Sequence, residues 1–423
     1  MTKHYLLFLL FLINSVVALA QWDNLVYDDT IYQENIHSIQ FHINGLVLTQ
    51  PIIELNSRAT LRLGFDDLGE NINTYYYTIR HCDSDWTPSE LTTLEYINGF
   101  EEEEIRDPEF SFNTLTEYTH YELQIPNRNM SWTKSGNYVL VVYDEDKNLV
   151  LTRRFLVVEP LVKIAHQMTR PVVMKKFRTH QEFDFRVSFE GLQVKEPKRE
   201  LKATILQNGR WDTAIKDVPP YFLYDGEVVF DYQDKIVFPA GREYRFIDLR
   251  TFQYKAEGVL SIEEFQDIYE VTLYTDAVRN NESYSFLRDA NGHFTIENLH
   301  RNNNDLESDY AMVLFSLKKS VQYKDADVYL YGKMTDWKIR DAYKMNYNEE
   351  SGYYLADVLL KQGYYNYAFA LVSKKDKSVS FDLTEGNWHE TENNYTVLIY
   401  YRSFGDRYDR LVGTYTFNSF TGN

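Results

Sequence analysis

Apolar side chains recur at every second position in short segments broken by turn-forming clusters: Ile39–Leu48, Ala59–Phe65, Tyr75–Arg80, Tyr121–Ile125, Tyr138–Tyr143 and Leu149–Val158. Successive side chains of a strand point to opposite faces, so a two-residue period gives each segment one buried face and one wet face. Helical spacing is scarce, and Glu90–Tyr96 is expected to form one short helical turn. Strands repeated at such short intervals predict an all-β chain of several Ig-like or fibronectin-like antiparallel β-sandwich domains in tandem. Composition points the same way, with 35 Tyr and 26 Phe against 18 Gly and 10 Pro, because aromatic rings suit pleated, half-buried surfaces.

The first twenty residues, MTKHYLLFLLFLINSVVALA, join a charged start at Lys3, an apolar run and a small-residue end at Ala18–Ala20. That is the pattern of a signal peptide over 1–20. The mature chain would begin at Gln21, which gives a lipid anchor no cysteine there, so an exported, periplasmic or secreted protein is expected. No later stretch reaches the roughly 20 apolar residues a membrane-spanning helix requires, and direct membrane insertion is not expected. Glu159-Pro160 ends one strand-rich stretch and Arg301–Asp305 is a polar linker, which sets three units at 21–158, 159–305 and 306–423. Asp144–Asn148 reads as the turn of a closing hairpin, and Asn291-Gly292 as the turn of a second hairpin within Ser285–Ile296.

The formal charge is −19 and becomes −20 once Lys3 is removed with the signal peptide. Phosphate binding needs a surplus of Lys and Arg, so nucleic acid is excluded as a partner and anionic membrane surfaces are disfavoured. The chain has one cysteine, Cys82, so stability must come from packing rather than from an intramolecular disulfide.

Tests for chemistry return little. Nucleophile-elbow, phosphate-loop and dinucleotide motifs are missing from the sequence. His389-Glu-Thr-Glu-Asn393 begins like a zinc-protease helix but places Asn393 where the second imidazole must stand. Asp144–Asn148 starts like a calcium loop, yet Leu149 replaces the required glycine and Phe155 the closing glutamate. In YYYTIRHCDSDWTPSEL, residues 75–91, His81 and Cys82 are adjacent on a strand and therefore face opposite ways, which is poor geometry for a nucleophile and its base. Cys82 reads as a buried, inert thiol, Asp83-Ser-Asp85 as a turn, and Trp86 as an aromatic cover. No catalytic residue, metal or cofactor is expected. Two surfaces remain as candidates for a partner or ligand: the acidic run Glu101, Glu102, Glu103 and Glu104, and Trp337.

Three resemblances sharpen this reading. Leu115-Thr-Glu-Tyr-Thr-His-Tyr121 resembles the tyrosine-corner approach to a late strand in fibronectin-type domains. Val328–Trp337, Gly352–Val358 and Gly363–Ala370 resemble the early-set Ig-like modules found beside glycan-acting enzymes, although Ser378–Phe381 offers no second tryptophan. Gln50–Leu55, Leu61–Asp67, Tyr75–Trp86, Tyr96–Phe100, Phe110–Leu115, Tyr118–Leu123 and Thr133–Tyr138 together are similar to the plug proteins of the type IX secretion system of Bacteroidetes. That resemblance implies a non-enzymatic periplasmic protein whose partner is the outer-membrane translocon β-barrel, and which seals the barrel's periplasmic opening. A periplasmic or secreted glycan-binding or adaptor protein, resting on Trp337, is the alternative.

Overall fold

The computed structural model describes residues 22–69 and 71–420. The signal peptide expected at 1–20 lies outside the described residues. The first unit is a two-sheet sandwich. One sheet runs in the order Thr30–Ile31, Leu149–Val158, Gly136–Asp144, Tyr75–Cys82, Glu103–Ile105, with Ile52–Glu54 parallel to Leu149–Val158. The facing sheet runs Ile36–Ile43, Leu61–Asp67, Thr119–Ile125, Glu109–Phe110. Alternation decides what they enclose: Tyr75, Tyr77 and Ile79 point into the core while Cys82 points out of it. Phe65, Tyr75 and Tyr121 pack with ring centroids 4.8 to 5.6 Å apart, and burying each such ring contributes about 1.5–3 kcal/mol. The expected helical turn forms as Thr93–Tyr96, started by a reciprocal bond pair between Thr92 and Glu95.

Gly136–Asp144 is buried along nearly its whole length. Its run Tyr-Val-Leu-Val-Val-Tyr is apolar on both faces, as a strand covered on both sides must be. The outer cover is the second unit, whose Leu206, Leu398, Tyr400 and Leu411 pack on Val139, Val141, Tyr143, Leu149 and Leu156.

The second unit pairs the sheet Lys163–Thr169, His180–Ser188, Glu227–Phe230, Phe222–Tyr224 with the sheet Arg210–Val218, Leu201–Gln207, Asn394–Tyr401, Arg410–Asn418. This departs from the unit boundaries expected from sequence. Leu201–Gln207 lies antiparallel to Asn394–Tyr401, from Leu201 opposite Tyr401 to Gln207 opposite Tyr395, and one core joins Phe183, Phe185 and Ile205 to Tyr395, Val397 and Phe417. The last two strands therefore complete the middle unit and do not belong to a separate module over 306–423. Periodicity marks a strand but says nothing of its partner, and these partners stand almost 200 positions apart.

The third unit is inserted between Val237–Pro239 and Asn394–Tyr401. Its eleven-stranded sheet, including Arg245–Asp248, Tyr310–Lys318, Ala326–Tyr331, Tyr353–Lys361 and Gly363–Ser373, wraps one core. The chain enters and leaves the insert at one place: Asn393 Nδ2 donates to Ala240 O at 2.9 Å and Thr391 Oγ1 to Gly241 O at 2.9 Å. Asn291-Gly292 turns as expected but closes no hairpin, since Phe294–Ile296 pairs with Gly363–Tyr365 instead. Gly292, at φ +80°, has the Trp337 ring where a Cβ would stand, 2.3 Å away.

Candidate functional site: the junction of three units

The densest buried polar chemistry lies where the units meet. Asp66, at the end of Leu61–Asp67, is 0% exposed. It accepts from Lys361 Nζ at 2.6 Å and from Tyr310 Oη at 2.7 Å, both in the inserted unit, and lies 2.7 Å from His120 Nδ1 on the neighbouring strand. Burial alone would raise its pKa, but Lys361 and His120 outweigh that and hold the carboxyl below its ordinary value. Burial lowers the Lys361 pKa, and Asp66 offsets this only in part. Asp305 O also accepts from Lys361 Nζ at 2.7 Å, and the Tyr118 ring lies 4.0 Å from it.

A second buried carboxylate, Asp336, is ringed by Arg340 Nη2 at 2.6 Å, Arg153 Nη2 at 3.2 Å and Lys333 Nζ at 3.6 Å. Burial opposes its charge, yet these cations, Arg153 foremost, push its pKa well below the carboxylate range. Arg153 belongs to the first unit and Asp336 to the insert, so this is again a bond between units. Lys338 reaches back to the Asp29 carbonyl and to Asp28 at 3.1 Å.

Beside the Asp336 cluster lies a cavity of about 270 Å³, bordered by Phe41, His42, Trp86, Trp211, Asp336 and Trp337. Trp86 and Trp211 meet edge to face at 4.9 Å, and the Arg154 guanidinium lies 4.4 Å from the Trp86 ring. Burial lowers the pKa of His42 and of His293, the latter to about 4.

The segment Tyr75–Leu91 is a clasp rather than a reactive centre. Asp83 accepts from Arg402 Nη1 at 3.0 Å and from Asp409 N at 3.0 Å, while Ser84 donates from its N and Oγ to Asp409 Oδ2 at 3.0 and 2.8 Å. Trp86 covers not an exposed core but the seam with the second unit. Cys82 is fully buried and burial drives its thiol pKa far up. His81 turns to the other face, between Ser89 Oγ at 2.8 Å and Ser135 O at 3.2 Å, and burial lowers its pKa to about 4.

The two candidate surfaces read from sequence are far apart in kind. Glu101, Glu102 and Glu104 are exposed at a sheet edge, and the run is partly neutralised by Lys147 on Glu102 at 2.7 Å and Arg106 on Glu103 at 2.6 Å. Trp337 is only 7% exposed, packed against Tyr244, Tyr331 and the Arg210 guanidinium at 5.3 to 5.9 Å. It is a packing residue of the junction, not an open stacking platform. Asp144 accepts from the backbone N–H of Asp146 and Asn148, at 3.0 and 2.8 Å, as a hairpin turn does. His120, Glu122 and Asp305 converge as a metal-binding group would. However, Arg62 Nη2 bridges both carboxylates at 2.8 Å and already supplies the cation.

Sequence reasoning missed Asp66, Lys361, Arg153 and Asp336. A signal existed: Lys361 ends the apolar strand Tyr-Tyr-Leu-Ala-Asp-Val-Leu-Leu, and Asp66 follows Leu-Arg-Leu-Gly-Phe. A charge set in an apolar run implies a buried partner.

Comparison with known proteins now adds identity. The family model described as type 9 secretion system plug protein 1st domain matches residues 36–159, the first sandwich. The crystal structure of a hypothetical protein from Parabacteroides merdae shares 33% identity at a TM-score of 0.89, covering 93% of this chain and 100% of that one. Extracellular domains 3–5 of Drosophila OTK align over 92% of this chain and 97% of that one, at 9% identity and a TM-score of 0.17, too low to carry an argument. No curated protein matches. With its first sandwich matched by that model and its full length followed by a relative at one-third identity, the chain belongs to the type 9 secretion system plug protein family.

Proposed function

We propose that this protein is a non-enzymatic periplasmic plug that binds the periplasmic opening of the type IX translocon barrel in the outer membrane and seals it. Family membership supports a role in type IX secretion and a place in the cell envelope. The observation that carries the finer reading is mechanical. The plug-family sandwich is tied to the rest of the chain by a shared apolar seam and by two buried ion clusters centred on Asp66 and Asp336. A stopper works by steric occlusion, which requires a broad body that does not fold aside, and affinity that depends on the state of the channel. The glycan-binding alternative loses its anchor, because Trp337 is enclosed at the junction.

The test is a mild-detergent pull-down of the tagged protein from its native envelope, paired with a deletion strain. The translocon barrel should co-purify, and the deletion strain should admit antibiotics too large for general porins. A pull-down without the barrel, together with unchanged permeability, overturns the proposal.

A further inference from the structure

One acid-free interval of the chain is also basic and apolar. No Asp or Glu occurs between Glu159 and Glu182, although the chain holds 63 of them, and this interval includes Arg170-Pro-Val-Val-Met-Lys-Lys-Phe-Arg178. That segment joins two strands of the second unit, Lys163–Thr169 and His180–Ser188, and its apolar residues are turned outward. Met174 is 83% exposed and Val172 64%, with Val173 and Phe177 also exposed. Arg170, Lys175 and Arg178 are exposed and Lys176 half-exposed, and among the described residues none of the four has a carboxylate in salt-bridge range. The loop is held in shape: Lys176 N donates to Val173 O at 2.8 Å, and His180 N to Lys176 O at 2.9 Å. Its base is pinned by Ala240 N on Thr179 O and His389 N on Arg178 O, each at 2.9 Å. Beside it, Met168, Arg170, Glu390 and Phe420 border a groove, and the exposed Phe420 ring lies 5.8 Å from the exposed ring of Phe286.

The geometry points to this loop as a peripheral docking element for an anionic phospholipid surface, with Val172, Val173, Met174 and Phe177 entering the interface and the four cations resting among the headgroups. An apolar tip flanked by Lys and Arg matches that boundary, since long cationic side chains reach the phosphates while their stems stay in the apolar layer. The net charge, which disfavours anionic membrane surfaces for the chain as a whole, acts only weakly at this loop. At physiological salt the screening length is about 8 Å, so the loop's own cations act at the surface while the acidic body beyond is screened. An acidic protein face would satisfy the cations but would leave the apolar tip without a use.

The test uses the full mature chain and vesicle flotation, comparing phosphatidylethanolamine vesicles containing phosphatidylglycerol with vesicles of phosphatidylcholine alone. Wild type should float with the anionic vesicles only, and less as salt rises. Each cation near such a surface is worth about fivefold in partitioning, so K175E/K176E should lose at least about 25-fold. V172S/M174S should weaken binding at equal charge, with circular dichroism spectra of both variants unchanged. Failure of wild type to float with anionic vesicles, or equal flotation of wild type and K175E/K176E, overturns the inference. No barrel is present in this assay, so its failure leaves the sealing proposal standing.

Discussion

Taking a carboxylate and an ammonium out of water costs several kcal/mol per ion, which the pair recovers only through close geometry and further hydrogen bonds. Asp66 and Lys361 have both. Lys361→Met should therefore destabilise the protein by about 3–5 kcal/mol in urea unfolding, because it strands a buried carboxylate, whereas Asp66→Leu with Lys361→Met should cost far less. Asp66 is held below its ordinary pKa, so its contribution is present above the unfolded value and lost as pH falls through the folded one. His81 acts at higher pH. Its folded pKa, about 4, lies below the ordinary 6.5, so the unfolded chain takes up a proton first as pH falls. Its contribution is complete above pH 6.5 and disappears towards pH 4, a gap worth about 3 kcal/mol. His81→Gln should flatten the stability profile across that interval, measured by thermal unfolding at stepped pH. Cys82, enclosed in the seam, should react with Ellman's reagent only as fast as the protein opens, and rapid labelling of the native state would contradict its reading as an inert thiol.

At the scale of elements, the insertion is the feature with most consequence. The middle unit needs Asn394–Tyr401 and Arg410–Asn418 to cover Phe183, Phe185 and Ile205. The fragment 159–305 should therefore fail to fold, while 241–392, which carries its own core and whose ends meet at one point, should give a cooperative β-sheet melt by circular dichroism. Folding of 159–305 alone would refute this organisation. The sequence made the elements legible more readily than their assembly. The expected strand Leu149–Val158 forms with those bounds, and the expected Tyr75–Arg80 continues to Cys82. Period two reports which face of a strand is buried, and Tyr75–Cys82 obeys it. It does not report a covering from outside. The doubly apolar run Tyr138–Tyr143 is the visible trace of the second unit packed on the first, and local alternation alone does not distinguish it. The junction stayed illegible for a related reason: Asp66 meets Lys361, and Arg153 meets Asp336, across separations that no local pattern encodes. The reading of Trp337 as a ligand platform depends on exposure, and exposure is a property of the assembled molecule.

For the whole molecule, the question is whether the insert is fastened to the plug-family sandwich for a purpose. It meets that sandwich through the Asp66 and Asp336 clusters and through bonds such as Leu115 N to Asp309 Oδ2 at 2.6 Å, while the second unit meets it through the apolar seam and the clasp of Asp83 and Ser84 with Arg402 and Asp409. The two attachments can therefore be loosened separately. Asp336→Lys with Lys361→Glu would set like charges together at both clusters, among Arg153, Arg340 and Lys333 in one and beside Asp66 in the other. Like charges this close and this buried repel strongly, whereas Leu398, Tyr400 and Leu411 would still hold the second unit in place. Small-angle scattering should then show a larger radius of gyration, with β-content unchanged by circular dichroism. If sealing requires one rigid body, a strain carrying this variant should retain the barrel in the pull-down yet admit large antibiotics as the deletion strain does. An expanded particle that still preserves the permeability barrier would mean that the first sandwich seals unaided, and that the junction serves folding rather than occlusion.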